Sequence, residues 1–328
     1  MLLRPGNATP LASTVQINGA HTYKPKGSFL LLTVIENDHP SLAQYLRSKL
    51  FDSNVSVESV PPPSPVNTDL QDECDMTDSQ ATAKYVALKR LGYTIPTLPG
   101  VQVDTIQGSM PAAHVLQCGD VIDAVNGTPT RTPADLSKAI GAHRPGDHVT
   151  VTFHRGDRTH NEVVQLGCLP ANAQSAFTPE APECKVAKVP PIIGIDVSSR
   201  YRYPVDISID TNGVTGPSGG LAMTLTLLDM LTPCNLTGGA PVAVTGEIFP
   251  DGTVGPIGGT PKKVVAARHA GAKLFIVAAG SDDLDQARAA AKGMHFVVVD
   301  SLDQALHALQ QAGGDPLSCR NPTSHKSQ

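Results

Sequence analysis

The sequence predicts an α/β protein, in the broader sense α+β, built from more than one domain. Three observations carry that prediction. Its 328 residues exceed one small domain and suit two or three at roughly 100–200 residues each. From Ile192 onward, strand-like and helix-like runs alternate, which is the pattern of α/β architecture. A separate stretch, 100–166, reads as short alternating strands broken by turn residues. Hydrophobic residues make up 40% of the chain, enough to fill real cores and to exclude wholesale disorder.

The elements follow in order. Residues 1–98 form a small mixed region. A strand-like run covers 27–35, and its apolar centre, interrupted by Thr33, falls far short of the ~20 residues that span a bilayer. A short helical pattern at 41–50 precedes Pro61-Pro62-Pro63-Ser64-Pro65, a stiff extended connector. Ala81, Tyr85, Val86, Leu88 and Leu91 mark an amphipathic helix over 77–92, stopped by Gly92. Residues 99–167 form the compact unit. Val101 and Val103 alternate as in a strand, Asn126-Gly127 signals a hairpin, and Thr132-Pro133-Ala134-Asp135 opens a helix with Thr as its cap. Residues 168–191, rich in Pro and Ala, read as a linker. The segment 192–312 runs through a strand at 205–209, an apolar and therefore buried helix at 221–231, a strand at 242–248 and a turn at Asp251-Gly252. A helix at 261–270 and an alternation of strand, helix, strand and helix follow. Residues 313–328 are a tail.

Composition excludes several functions. The net charge of −5, the absence of Trp and an aromatic share of 4% argue against nucleic acid and against a stacking platform for bases. Six cysteines (Cys74, Cys118, Cys168, Cys184, Cys234 and Cys319) include no C-x-x-C pair, so no metal site is predicted. They are either disulfide partners outside the cytosol or isolated buried thiols. A bridge from Cys168 to Cys184 would close a loop of about 15 residues, worth up to about 3 kcal/mol in the chain-entropy model. No G-x-x-x-x-G-K-[ST] occurs, so no nucleotide partner is expected. No cofactor is called for.

One constellation carries chemistry. Gly216-Pro217-Ser218-Gly219-Gly220 lies between a strand and the buried helix, which puts a serine on a tight turn at a helix N-terminus. Free backbone N–H groups and the positive end of the helix dipole converge there and would stabilise an oxyanion. The hydroxyl still needs a base. A trypsin-like reading fails, because the region upstream of the serine offers no two-barrel β fold carrying His and Asp.

Two resemblances follow from ordered motifs. Gly100-Val101-Gln102-Val103, Ser109-Met110-Pro111-Ala112, the block from Gly119-Asp120-Val121-Ile122 to Asn126-Gly127, and the helix over 134–140 resemble a bacterial PDZ domain, a small β-sandwich-like module. That resemblance implies a polypeptide partner added as a strand beside 100–105, with Gly100, Val101 and Val103 on the receiving strand and Leu136 and Ile140 walling the groove. Downstream, Gly216-Pro217-Ser218, Thr245-Gly246-Glu247-Ile248, Asp251-Gly252, Val254-Gly255-Pro256-Ile257-Gly258-Gly259 and Lys262-Lys263-Val264-Val265-Ala266-Ala267 resemble the proteolytic domain of the Lon family of Ser–Lys peptidases. The family pattern makes Ser218 the nucleophile, Lys263 its base and Thr245 the group that orients the amine, with Lys262 the rival for the base and otherwise a solvent-facing neighbour. Thr215 and Gly219 depart from the family's usual Asp and Ala.

The order PDZ then Lon-like domain, with no ATPase module, resembles membrane-anchored peptidases of Gram-positive and actinobacterial lineages. This implies an ATP-independent serine endopeptidase acting on polypeptides at the extracytoplasmic face of the membrane, tethered by an N-terminal anchor absent from this sequence. Ile17-Asn18-Gly19 and Tyr23-Lys24-Pro25-Lys26-Gly27 resemble that group's opening after the anchor. Lon-type domains often form hexameric rings, so a homo-oligomer stays open. The alternative is a peptide-binding adaptor with an inactive peptidase-like domain.

Overall fold

The computed structural model describes residues 1–37, 68–107, 110–169 and 188–319, with short pieces between 40 and 46, at 56–57 and between 178 and 185. The proline connector lies outside the described residues, as do Ser109 and much of the helical pattern at 41–50, the 168–191 linker and the tail. Among the described residues no helix is long and apolar enough to cross a membrane. The chain divides into two compact units. One gathers the described residues of 1–61, 76–94 and 203–328, and the other those of 62–75 and 95–202.

The first unit is built on a six-stranded sheet in the order His295–Val299, Leu274–Ala278, Pro241–Thr245, Ser28–Asn37, Leu2–Pro10 and Ser56–Val57. The first four strands are parallel, and the remaining pairings are antiparallel. Residues 1–98, read from the sequence as a region of their own, are therefore split. Phe29 stands in register with Val242, in the middle of the sheet, and Val15–Asn18 pairs with Asp206–Ile209. The reason is visible in the run Phe29, Leu30, Leu31, Leu32, in which all four residues are buried. A strand buried on both faces belongs inside a parallel sheet, but local patterning cannot say which distant strand will flank it.

Two helices of this unit matter for the site. Gly220–Leu231 is buried from Gly220 to Asp229, as its all-round apolar sequence requires. Its threonines fit because Thr224 and Thr226 donate their hydroxyls back to the carbonyls of Gly220 and Ala222. Thr260–His269 is buried from Thr260 to Ala267. A third helix, Thr68–Arg90, begins nine residues before the predicted start at 77. It closes as predicted, with Gly92 donating to the Lys89 carbonyl and Tyr93 to that of Leu88, the paired bonds of a Schellman stop. Met76, Ser79, Ala83 and Val86, spaced three or four apart, are buried, so this stretch presents one face to the first unit's core. A disulfide joins Cys234 to Cys319.

The second unit is a twisted antiparallel sheet in the order Ile195–Tyr201, Thr97–Ile106, Val121–Val125, His148–Arg155 and Arg158–Gln165, with Thr128–Pro129 returning on Val121–Val125. The helix Pro133–Gly141 has the predicted start, since Thr132 and Asp135 form a reciprocal capping box. Val101, Val103, Ile122, Leu136, Ile140 and Phe153 belong to one buried cluster. Asp120, 1% exposed, accepts from Arg155 Nε at 2.8 Å and Nη2 at 2.7 Å and from the Gln117 N–H at 2.9 Å. Disulfides join Cys74 to Cys118 and Cys168 to Cys184. Ile195–Tyr201, at the start of the predicted segment 192–312, is an edge strand of this sheet.

Candidate active site

The site forms at the carboxyl end of the parallel strand Pro241–Thr245, the end where open α/β sheets place their ligands. The turn carrying Ser218 is a single 3-10 turn, Pro217–Gly219, feeding directly into Gly220–Leu231. It is entered through Gly216 at φ 83° and ψ 161°, a backbone region open essentially to glycine alone. Proline at the first position of the turn supplies a preset φ. A side-chain β-carbon at Gly219 would stand 2.7 Å from Leu31 Cδ1, closer than packed carbons tolerate. Leu31 thus gives a local reason for glycine where the family usually has alanine.

Ser218 is partly exposed, whereas Lys263 is 5% and Thr245 1% exposed. Lys263 Nζ lies 2.8 Å from Ser218 Oγ and 3.4 Å from Thr245 Oγ1. Thr245 Oγ1 in turn donates to the Ser218 carbonyl at 3.2 Å. Backbone bonds tie the strand end to the serine turn, with Gly246 N–H on the Ser218 carbonyl and Leu221 N–H on that of Gly246. The three residues singled out in the sequence are therefore together, although Ser218 and Lys263 are 45 positions apart.

Burial drives the Lys263 ammonium down from 10.5 to about 8, and the nearby Asp282 carboxylate opposes part of that fall by favouring the charged amine. Asp282 also accepts the Gly259 and Thr260 N–H groups, each at 2.9 Å, and the Thr260 hydroxyl. It caps the first turn of the lysine helix from outside that helix. No sequence signal announced this, because a cap 22 residues downstream has no local spacing rule. Lys262, expected at the surface, is 6% exposed. Its helix is covered nearly all round, so both lysines of the pair are buried.

The predicted peptide groove is corrected. Val101, Val103, Leu136 and Ile140 are core residues, and Gly100 sits against the Val121 side chain. The strand carrying Gly100, Val101 and Val103 is paired on both sides. Ile195–Tyr201 takes one edge, while Val121, Ile122 and the backbone of Gly119 and Asp120 take the other. No edge remains there for an added strand. Within this sheet the edge strands are Ile195–Tyr201 and Arg158–Gln165.

A partly exposed serine against a buried lysine of lowered pKa, at the carboxyl end of a parallel strand, is an arrangement able to activate a hydroxyl for attack, the chemistry of the serine-hydrolase class. Comparison with known proteins narrows the class. Residues 196–311 match the Lon protease (S16) C-terminal proteolytic domain, and residues 68–166 match the PDZ domain. The chain thus joins a PDZ domain to a proteolytic domain of the Lon serine protease type. Among similar proteins, the Lon protease of Anaeromyxobacter dehalogenans is 34% identical over 141 residues, covering 41% of this chain and 16% of that protein. The Lon protease of Treponema pallidum is 41% identical over 93 residues, covering 28% of this chain and 10% of that protein. The matched part is therefore no more than about a sixth of these relatives' length. A solved PDZ domain of an SdrC-like protein from Listeria monocytogenes is 24% identical, covering 31% of this chain and 90% of that one, with a TM-score of 0.25.

Proposed function

We propose that this chain is a serine endopeptidase in which Ser218 is the nucleophile, Lys263 the general base and Thr245 the residue that orients the amine. The observation that carries the reading is the 2.8 Å contact between Lys263 Nζ and Ser218 Oγ in a setting that brings the lysine down to about 8. A lysine at that value has about a tenth of its population neutral at pH 7, whereas an ordinary lysine has almost none. The neutral amine takes the proton of Ser218 as its oxygen attacks a peptide carbonyl, and the resulting ammonium returns a proton to the leaving amine. The N-terminus of Gly220–Leu231 favours the oxyanion. Water then releases the acyl group, with Lys263 again as base. The reaction needs no nucleotide, and the chain has no G-x-x-x-x-G-K-[ST] motif.

The setting we propose is outside the cytoplasm, which the pairing of all six cysteines supports, since disulfides persist in oxidising compartments. Polypeptide substrates would be engaged by strand addition at the edge strand Ile195–Tyr201. The test of the dyad is turnover of casein by Ser218→Ala and Lys263→Ala, with circular dichroism as the folding control. Both variants are expected to be folded and inactive. A folded Lys263→Ala variant with full activity would refute the dyad and turn attention to Lys262.

A further inference from the structure

Ser79 lies outside the stretch that matches the proteolytic domain and inside the stretch that matches the PDZ domain, yet it touches the serine turn. It sits on the helix Thr68–Arg90, is 4% exposed, and donates its hydroxyl to the Pro217 carbonyl at 2.9 Å. That carbonyl also accepts the Gly220 N–H that closes the 3-10 turn, so both of its lone pairs are engaged.

The peptide bond that contains the Pro217 carbonyl also contains the Ser218 N–H. No described peptide bond is cis, and in a planar trans peptide the C=O and N–H point in opposite directions. Holding the oxygen toward Ser79 therefore sends the Ser218 N–H the other way, out of the turn. Accepting two hydrogen bonds also polarises the amide and strengthens its N–H as a donor. The next carbonyl, that of Ser218, is held in the same manner by Gly246 N–H at 2.9 Å and Thr245 Oγ1 at 3.2 Å.

We propose that Ser79 is a positioning residue of the peptidase site, fixing the Pro217–Ser218 peptide so that the Ser218 N–H donates to the oxyanion formed on the substrate carbonyl. The inference rests on the reading of Ser218 as nucleophile. It adds a residue from a distant part of the sequence to the machinery of that serine, although Ser79 itself touches neither substrate nor Lys263. A hydroxyl that merely filled a hole in the core would influence stability alone. One that aims an oxyanion donor must influence the transition state more than the bound substrate.

The experiment compares Ser79→Ala with the unaltered full chain on a fluorogenic peptide, separating kcat from KM. A peptide boronate serves as a tetrahedral mimic, and thermal unfolding as the folding control. We expect kcat to fall at least about tenfold, since loss of an oxyanion donor outright costs 10²–10³, with KM within about twofold. Boronate affinity should weaken by a factor similar to that for kcat. Unchanged kcat, or unchanged boronate affinity in a folded variant, would overturn the inference. If Ser79→Ala does not fold, the unaltered chain labelled with nitrogen-15 decides the matter. The Ser218 amide proton should move downfield when the boronate binds, and an unmoved resonance would overturn the proposal. Ser218→Ala is assayed in parallel. Residual turnover there would refute the serine itself, whereas an inactive Ser218→Ala beside a fully active Ser79→Ala would refute only the role of Ser79.

Discussion

Replacing Lys263 with methionine should abolish hydrolysis and, near neutral pH, make the protein more stable. The side chain is buried, and its pKa falls from 10.5 to about 8, so folding at pH 7 carries a buried ammonium that an unfolded chain would hydrate. A fall of that size corresponds to roughly 3 kcal/mol against the charged form. The sign follows from proton counting. Below about pH 8 both states bind the proton and the whole penalty is present. Between about 8 and 10.5 the unfolded chain keeps the proton while the folded one has lost it, so stability rises with pH and the penalty fades. Methionine has similar length and no charge to desolvate. It gives up the contact to Ser218 Oγ at 2.8 Å, but that hydroxyl is partly exposed and water can replace the partner. At pH 7 Lys263→Met should therefore be more stable by roughly 2–3 kcal/mol, an instance of activity held at the expense of stability. At pH 9.5 the advantage should have shrunk by roughly 2 kcal/mol. The assay is urea unfolding followed by circular dichroism at both values, comparing variant with unaltered protein. A variant less stable at pH 7, or an advantage that does not shrink with pH, would show that burial does not hold this lysine toward its neutral form.

Four further outcomes are expected. The kcat/KM profile should rise through neutral pH and level off above about pH 8, the value set by burial of Lys263. Asp282→Asn should move that limb to lower pH, because the carboxylate favours the ammonium; a limb that stays in place would remove Asp282 from the electrostatics of the site. Asp120→Ala should cost about 2–3 kcal/mol in urea unfolding of the second unit, because it strips Arg155 Nε and the Gln117 N–H of their acceptor and leaves Arg155 Nη2 with the Val115 carbonyl; a cost below about 0.5 kcal/mol would show that these bonds contribute little to the unit's stability. Leu136→Glu should unfold the second unit rather than leave a folded domain with a weakened groove, since Leu136 is 4% exposed in the core and an unpaired carboxylate there is costly; native-like near-ultraviolet dichroism in this variant would restore Leu136 to a groove wall.

The sequence by itself determined the elements whose causes are local. The capping box of Thr132 and Asp135 and the turn at Asp251-Gly252 between Glu247–Ile248 and Val254–Gly255 are short-range chemistry, readable from neighbours in the chain. So is the all-round apolar helix ending at Leu231. Ser218, Thr245 and Lys263 were singled out by ordered blocks that resemble the Lon proteolytic domain, and the structure sets them side by side. The tertiary structure alone decided what depends on pairing across long separations. It set Phe29 beside Val242, and it moved Ile195–Tyr201 onto the sheet of the second unit, which closed the strand that had been expected to receive a peptide. It buried Lys262 alongside Lys263 and brought Ser79 to Pro217 across 138 positions and Asp282 to Gly259 and Thr260. Hydrophobic periodicity says that a strand or helix must be covered, but it does not name the surface that covers it. Partner choice follows from the packing of the whole core, and for these residues the partner defines the role.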